Sequence, residues 1–147
     1  MRFHKLGNIQ MEKKSHHKWP IRVYYEDTDA GGVVYHARYV AFFERARTEL
    51  LREKGFSQIA LLEQDVAFAV RKMNLEFHRP AVLDDSLIVE TVINKVNHAS
   101  IQFHQSLYNS QNGLLLSEAN VVVASVSKQN MKAIRLPGFI KVGFSCE

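Results

Sequence analysis

The sequence predicts an α+β fold in which a curved, mostly antiparallel five-stranded sheet wraps one long central helix. The first reason is a stretch from about Tyr35 or His36 to Lys54 that lacks Pro and Gly and repeats its apolar residues at helical spacing. The second is that the segments before and after it alternate with the period of strands, joined by connections short enough for hairpins. One sheet and one strongly apolar helix bury each other most economically when the sheet curls around the helix.

The 147 residues suit a single domain, and 46% hydrophobic with 23% charged residues excludes a disordered chain. Residues 1–18 are polar and aperiodic and read as a flexible arm, with Met11 as an alternative start and residues 19–147 as the domain. The first strand runs through Ile21, Val23 and Tyr25, which alternate with Arg22 and Tyr24. It stops at Glu26-Asp27-Thr28-Asp29-Ala30-Gly31-Gly32, where Asp, Thr and paired Gly mark a turn. In the helix, Tyr39, Val40, Phe43, Ala46, Leu50 and Leu51 form the apolar positions, and Gly55 supplies the stop. Residues 57–64 read as a short helical turn. Strands are expected over 66–78, 87–96, 100–108 and 114–126, the last following the Asn112-Gly113 turn.

Nineteen Lys and Arg against fifteen Asp and Glu give a formal charge of +4. The basic residues are scattered, and the run Arg45, Arg47, Arg52 sits beside Glu44, Glu49 and Glu53, which reads as solvated surface and excludes a nucleic-acid partner. One cysteine, Cys146, excludes an internal disulfide and fits a reducing cytoplasm. No run approaches the roughly 18 apolar residues of a membrane span. Residues 1–18 hold no apolar stretch of signal-peptide type, so a cytoplasmic location is expected.

GxSxG, Walker, GxGxxG and HExxH motifs are all absent. His78, His98 and His104 lie on separate strands or turns without metal-ligand spacing, and no metal is expected. The chemistry therefore concentrates in Tyr24-Tyr25-Glu26-Asp27-Thr28-Asp29-Ala30-Gly31-Gly32-Val33-Val34-Tyr35-His36. Two carboxylates precede a Gly pair, and the free N–H groups of the helix start follow a few residues later. Such amides can hold an oxygen that turns negative in a transition state, and Gly31 and Gly32 admit a ligand where a Cβ would collide. An ionised Asp beside them can act as nucleophile or as base toward water, which suits a carbonyl substrate. The same residue types also build ordinary caps and turns, and His36 alone fits a packed histidine as well as a catalyst.

The run from Asp27 to His36, followed by Tyr39 and the helix over 42–51, resembles the 4-hydroxybenzoyl-CoA thioesterase family of hot-dog-fold enzymes, and within it the Tol-Pal-associated acyl-CoA thioesterase branch. The similarity continues through Arg22-Val23-Tyr24-Tyr25-Glu26, Glu44-Arg45-Ala46-Arg47-Thr48-Glu49, Ala67-Phe68, Val70-Arg71-Lys72-Met73, Leu83-Asp84-Asp85 and Met131-Lys132. The resemblance implies a hot-dog fold and hydrolysis of an acyl-CoA thioester to free acid and CoA. It implies Asp29 as the catalytic carboxylate and His36 as the helix-start amide that polarises the carbonyl, with Asp27 in support. Tyr25, Gly32, Arg71 and Lys72 are the implied substrate-binding residues. No cofactor is implied, CoA being part of the substrate. The family pairs subunits so that their sheets continue into one another, so a homodimer or homotetramer is expected.

One departure bears on the substrate. Where the 4-hydroxybenzoyl-specific enzymes carry a basic run that contacts the CoA nucleotide, this chain has Asn97-His98-Ala99. Phosphate contacts then fall to Arg71, Lys72, Lys95, Lys128, Lys132 or Arg135, and an acyl carrier protein stands beside CoA as the thioester donor. The alternative function is an acyl-chain or acyl-carrier-protein binding partner of envelope or phospholipid machinery with little turnover.

Overall fold

The computed structural model describes residues 16–145. Strands β1 (His17–Arg22), β2 (Val66–Phe77), β3 (Ser86–Val96), β4 (Ser100–Asn109) and β5 (Leu115–Ser127) form one sheet in the order β1-β3-β4-β5-β2, every pair antiparallel. The chain leaves β1 at one edge and enters β2 at the other, and helix α1 (Arg38–Glu53) makes the crossing. A short helix α2 (Gln58–Glu63) leads into β2, and α3 (Gly138–Ser145) ends the described chain.

Helix α1 forms because Tyr39, Phe42, Phe43, Ala46, Leu50 and Leu51 repeat at three and four residues and so share one face. That face is buried in the same cluster as Leu87 and Val89 of β3, Phe103 and Leu107 of β4, and Val121 of β5. Phe42 and Phe43 are fully buried, and each such side chain contributes about 1.5–3 kcal/mol relative to exposure. The predicted α+β arrangement of a central helix wrapped by an antiparallel sheet is therefore present.

Several boundaries differ from the sequence reading. β1 starts at His17, inside the segment assigned to the arm, because residues 17–22 pair in register with 86–91 of β3 and His17 is buried. The rest of that arm, residues 1–15, lies outside the described residues, as does Cys146. β1 ends at Arg22 rather than continuing through Tyr25, since residues Tyr25–Asp27 turn into one 3₁₀ turn. Helix α1 starts at Arg38, two to three residues later than expected, because Tyr35 donates its N–H backward to the Asp27 carbonyl at 2.9 Å. Helix α3 was not predicted. Its buried Ile140 and Phe144 stand four residues apart, a signal too short to separate from a strand.

The largest correction concerns Arg47, read from sequence as solvated. It is 6% exposed on the sheet-facing side of α1 and donates to Gln105 Oε1 at 2.9 Å. Gln105, fully buried on β4, donates in turn to the Phe43 carbonyl at 2.9 Å and to Thr91 Oγ1 at 3.0 Å. This network ties helix to sheet through polar groups inside an apolar layer, where loss of one partner strands the others. Gln105→Leu should lower stability by about 2–4 kcal/mol because Arg47 loses its protein acceptor. Urea unfolding checks this, and a loss below about 0.5 kcal/mol would show that the network is energetically idle.

Candidate active site

The turn between β1 and α1 is organised by Asp27, which is buried. Its Oδ2 accepts the Tyr24 N–H at 2.9 Å, and its Oδ1 accepts from Arg38 Nε at 2.9 Å and lies 2.7 Å from Arg38 Nη2. One carboxylate thus joins the end of the extended segment to the first residue of α1, by charge-assisted bonds of the strong class. Glu26 adds a looser contact to Arg38 at 3.6 Å.

Within this frame the chain folds back on itself. Thr28 bridges Val34, the Asp29 N–H donates to the Val33 carbonyl at 2.8 Å, and the Gly32 N–H to the Asp29 carbonyl at 3.0 Å. Gly32 has φ +83°, a region that side chains with a Cβ resist, so this reversal needs glycine there. Val33 bridges Val82, and the Val34 N–H donates to the Ala81 carbonyl at 2.9 Å, docking the loop on the β2–β3 connection. Tyr39, one residue into α1, accepts the Ala81 N–H on its hydroxyl at 3.1 Å and packs edge-on against Phe77 at the end of β2.

Asp29 is held by one oxygen only. Oδ1 accepts the Gly31 N–H at 2.8 Å and the Val33 N–H at 3.4 Å, whereas Oδ2 has no partner among the described residues, and the side chain is exposed. At the other end of the loop, Tyr35 N–H is spent on Asp27 and Arg38 N–H on Tyr35 (2.8 Å). The N–H groups of His36 and Ala37, between them, have no acceptor among the described residues. A carboxylate with one available oxygen and a pair of available amide donors therefore flank one small bridge. This combination can bind a polarised carbonyl and supply a nucleophile or base to it.

The other predicted site residues fall in two places. Tyr25, Gly32 and His36 share this exposed loop with Asp29; Tyr25 is 82% exposed, its carbonyl accepts the Thr28 hydroxyl at 2.8 Å, and the His36 ring tilts against Tyr35. Arg71 and Lys72 instead lie on β2, at a bulge between Val70 and Lys72, with no bond to the loop among the described residues. Sequence reasoning missed Arg38 and Tyr39 as the residues that hold the loop. Only their place at the start of an apolar helix marked them. The sheet face turned away from α1 carries another constellation: His78 Nε2 lies 2.9 Å from Glu118 Oε2, and His104 Nε2 lies 3.5 Å from Glu118 Oε1. Glu76, His78 and Glu118 place potential ligand atoms within 4.8 Å of one another, a grouping that register across strands creates and linear spacing hides. No helix among the described residues is long and apolar enough to cross a membrane.

A long helix enclosed by an open antiparallel sheet, with a carboxylate loop at the helix start, defines a hot-dog thioesterase fold. The chain matches the thioesterase superfamily over residues 31–116 and belongs to that family. It is 54% identical over 127 residues to the acyl-CoA thioester hydrolase YbgC of Escherichia coli O6:H1, covering 86% of this chain and 94% of that protein. It is 52% identical to the acyl-CoA thioesterase YbgC of Haemophilus influenzae, covering 86% and 92% of the two chains. Among solved structures, a probable thioesterase from Bartonella henselae superposes with a TM-score of 0.78 at 38% identity, over 84% of this chain and all (100%) of that one.

Tyr39 links this site to pH. Burial pushes its phenol above the ordinary value, opposed by the Ala81 N–H and reinforced by the charge of Asp85. The folded state thus holds the phenolic proton more tightly than the unfolded chain. Its contribution is full below the unfolded value of about 10 and is lost as pH rises through the higher folded value. Tyr39→Phe should remove that alkaline loss and, by orphaning the Ala81 N–H, cost about 1–2 kcal/mol at neutral pH. Unfolding curves at neutral pH and above pH about 10 test both effects, and an unchanged alkaline slope would contradict the assignment.

Proposed function

We propose that this chain hydrolyses acyl-CoA thioesters, with Asp29 as the reacting carboxylate and the His36 and Ala37 N–H groups as carbonyl donors. The observation that carries this reading is the state of the loop: Asp29 is fixed through Oδ1 and left available through Oδ2, and two uncommitted amides follow seven and eight residues on, where the chain enters α1. The names of the two YbgC relatives, both acyl-CoA thioesterases, support the substrate class.

Two routes are open to the same atoms. In one, the Asp29 carboxylate attacks the thioester carbon, the C–S bond breaks to release the CoA thiolate, and water then cleaves the mixed anhydride. In the other, Asp29 takes a proton from water as the oxygen adds to the carbon, and as the tetrahedral intermediate collapses the C–S bond breaks and Asp29 returns that proton to the departing thiolate. Both place the oxyanion on the amides, where one such donor is typically worth about 3–4 kcal/mol. After a single turnover in ¹⁸O-water, label in Asp29 would identify direct attack with water entering at the Asp29 carboxyl carbon, since the general-base route labels the product acid alone.

Arg71 and Lys72 are exposed on β2, whose outer edge pairs with no other strand among the described residues. A strand edge of that length is ordinarily covered. We assign it to pairing with a second copy, which would bring the basic bulge of one chain toward the loop of the other for the CoA phosphates. The reading places the enzyme in the cytoplasm and uses only water and the chain's own groups.

Asp29→Asn keeps the turn bonds but loses the nucleophile or base. Thiol release from acyl-CoA should fall by about 100- to 10,000-fold in kcat with the fold intact, and wild-type turnover in this variant would overturn the role. Replacing Arg71 and Lys72 by Ala should raise KM and flatten its salt dependence while leaving kcat near wild type. A salt response unchanged from wild type would move phosphate binding elsewhere.

A further inference from the structure

Glu76 of β2 and Glu118 of β5 are direct partners across the sheet. They belong to the face turned away from α1, since Glu118 and His104 alternate with the buried Ala119 and Phe103 that pack in the core. Like charges directly opposite on one face cost stability unless a cation stands between them. The Glu76 carboxylate has no hydrogen bond or ion pair among the described residues. His78, two residues past Glu76, is tied to β5 by its N–H, which donates to the Leu116 carbonyl at 2.8 Å, and its Nε2 lies 2.9 Å from Glu118 Oε2.

One ligand atom each from Glu76, His78 and Glu118 thus falls within 4.8 Å of the others. Around a tetrahedral zinc ion, ligand atoms about 2.0–2.2 Å from the metal stand roughly 3.3–3.6 Å apart, so small side-chain rotations close the set and water completes it. Glu118 is also oriented from behind. His104 Nε2 lies 3.5 Å from its other oxygen, and His104 Nδ1 is itself 2.9 Å from Asn120 Oδ1. Partners of this kind fix the carboxylates that bind metals. The imidazole selects a first-row transition ion, whereas Mg²⁺ and Ca²⁺ favour oxygen ligands throughout. Side chains stand roughly perpendicular to a sheet, so this face stays open when the outer edge of β2 takes a second copy.

We propose that Glu76, His78 and Glu118 bind one zinc-type divalent ion through a carboxylate oxygen of each glutamate and Nε2 of the histidine. The ion replaces the direct contact between His78 and Glu118, offsets the facing carboxylates and pins the end of β2 to β5. Three residues past His78, the Ala81 carbonyl accepts from Val34 and the Ala81 N–H donates to Tyr39, so the ion steadies the connection on which the Asp29 loop docks. Its role is structural and does not depend on the thioesterase reading.

Calorimetric titration of the full, untagged chain with zinc chloride tests this in wild type, Glu76→Gln, His78→Gln and His16→Gln. Wild type should take up one ion at this site. Glu76→Gln and His78→Gln should each weaken that binding at least about tenfold. His16→Gln should leave it unchanged, because the His16–Glu90 pair belongs to no such three-residue group among the described residues. Glu76→Gln alters an exposed side chain and relieves the like-charge pair, so its metal-free chain should melt no lower than wild type, which separates lost affinity from lost folding. Excess Mg²⁺ should not displace the zinc. Absence of zinc uptake, wild-type affinity retained in Glu76→Gln or in His78→Gln, or displacement by Mg²⁺ overturns the proposal. The titration reads the ion alone, so a chain that cleaves no thioester would count against the thioesterase reading and leave this one standing.

Discussion

The buried carboxylate of Asp27 is the point on which the rest of the site depends. It receives the Tyr24 N–H from the segment leaving β1 and the Arg38 guanidinium from the start of α1, so two elements meet at one charge. A carboxylate taken out of water is tolerated only when its lone pairs are filled, and here both oxygens are. Ten residues lie between Asp27 and Arg38, and the loop they form is therefore closed at both ends before any ligand arrives. Asp29, two residues on, inherits a fixed position without spending its second oxygen.

The helix supplies the other half of the design. Its apolar face is enclosed by the curved sheet, which orients the axis, and the free amides of His36 and Ala37 stand in the turn directly before it, anchored to a rigid element. Tyr39 transmits this rigidity to the β2–β3 connection through Ala81, which in turn holds Val34. Farther along the same helix, the Arg47–Gln105–Thr91 network crosses from helix to sheet. A well-packed apolar pair would serve stability there at least as well.

Much of this was legible in the residues. Tyr39, Phe43, Ala46, Leu50 and Leu51 declared the helix by spacing alone, and the alternation in the later strands declared the sheet. The acidic-Gly run located the loop, but spacing could not separate a site from an ordinary turn; resemblance to a known family carried Asp29 and His36. What stayed hidden depends on contacts between distant positions. Asp27 and Arg38 form no short-range pattern, Arg47 looked like one more charge in a basic run, and Glu118 meets His78 and His104 only through strand register. The helix start was misjudged because the Tyr35 N–H, tied to Asp27, delays it to Arg38. Where one polar group chooses between two partners, local sequence does not record the choice.

The claim at the centre of this account is that Asp29 and the amides before α1 act on one carbonyl. The most direct measurement is a crystal structure of Asp29→Asn with an intact acyl-CoA bound. The account predicts the thioester carbonyl oxygen within hydrogen-bond distance of the His36 or Ala37 N–H, with the residue 29 side chain facing the carbonyl carbon. A thioester seated with its carbonyl away from these amides, or with residue 29 turned from it, would contradict the account.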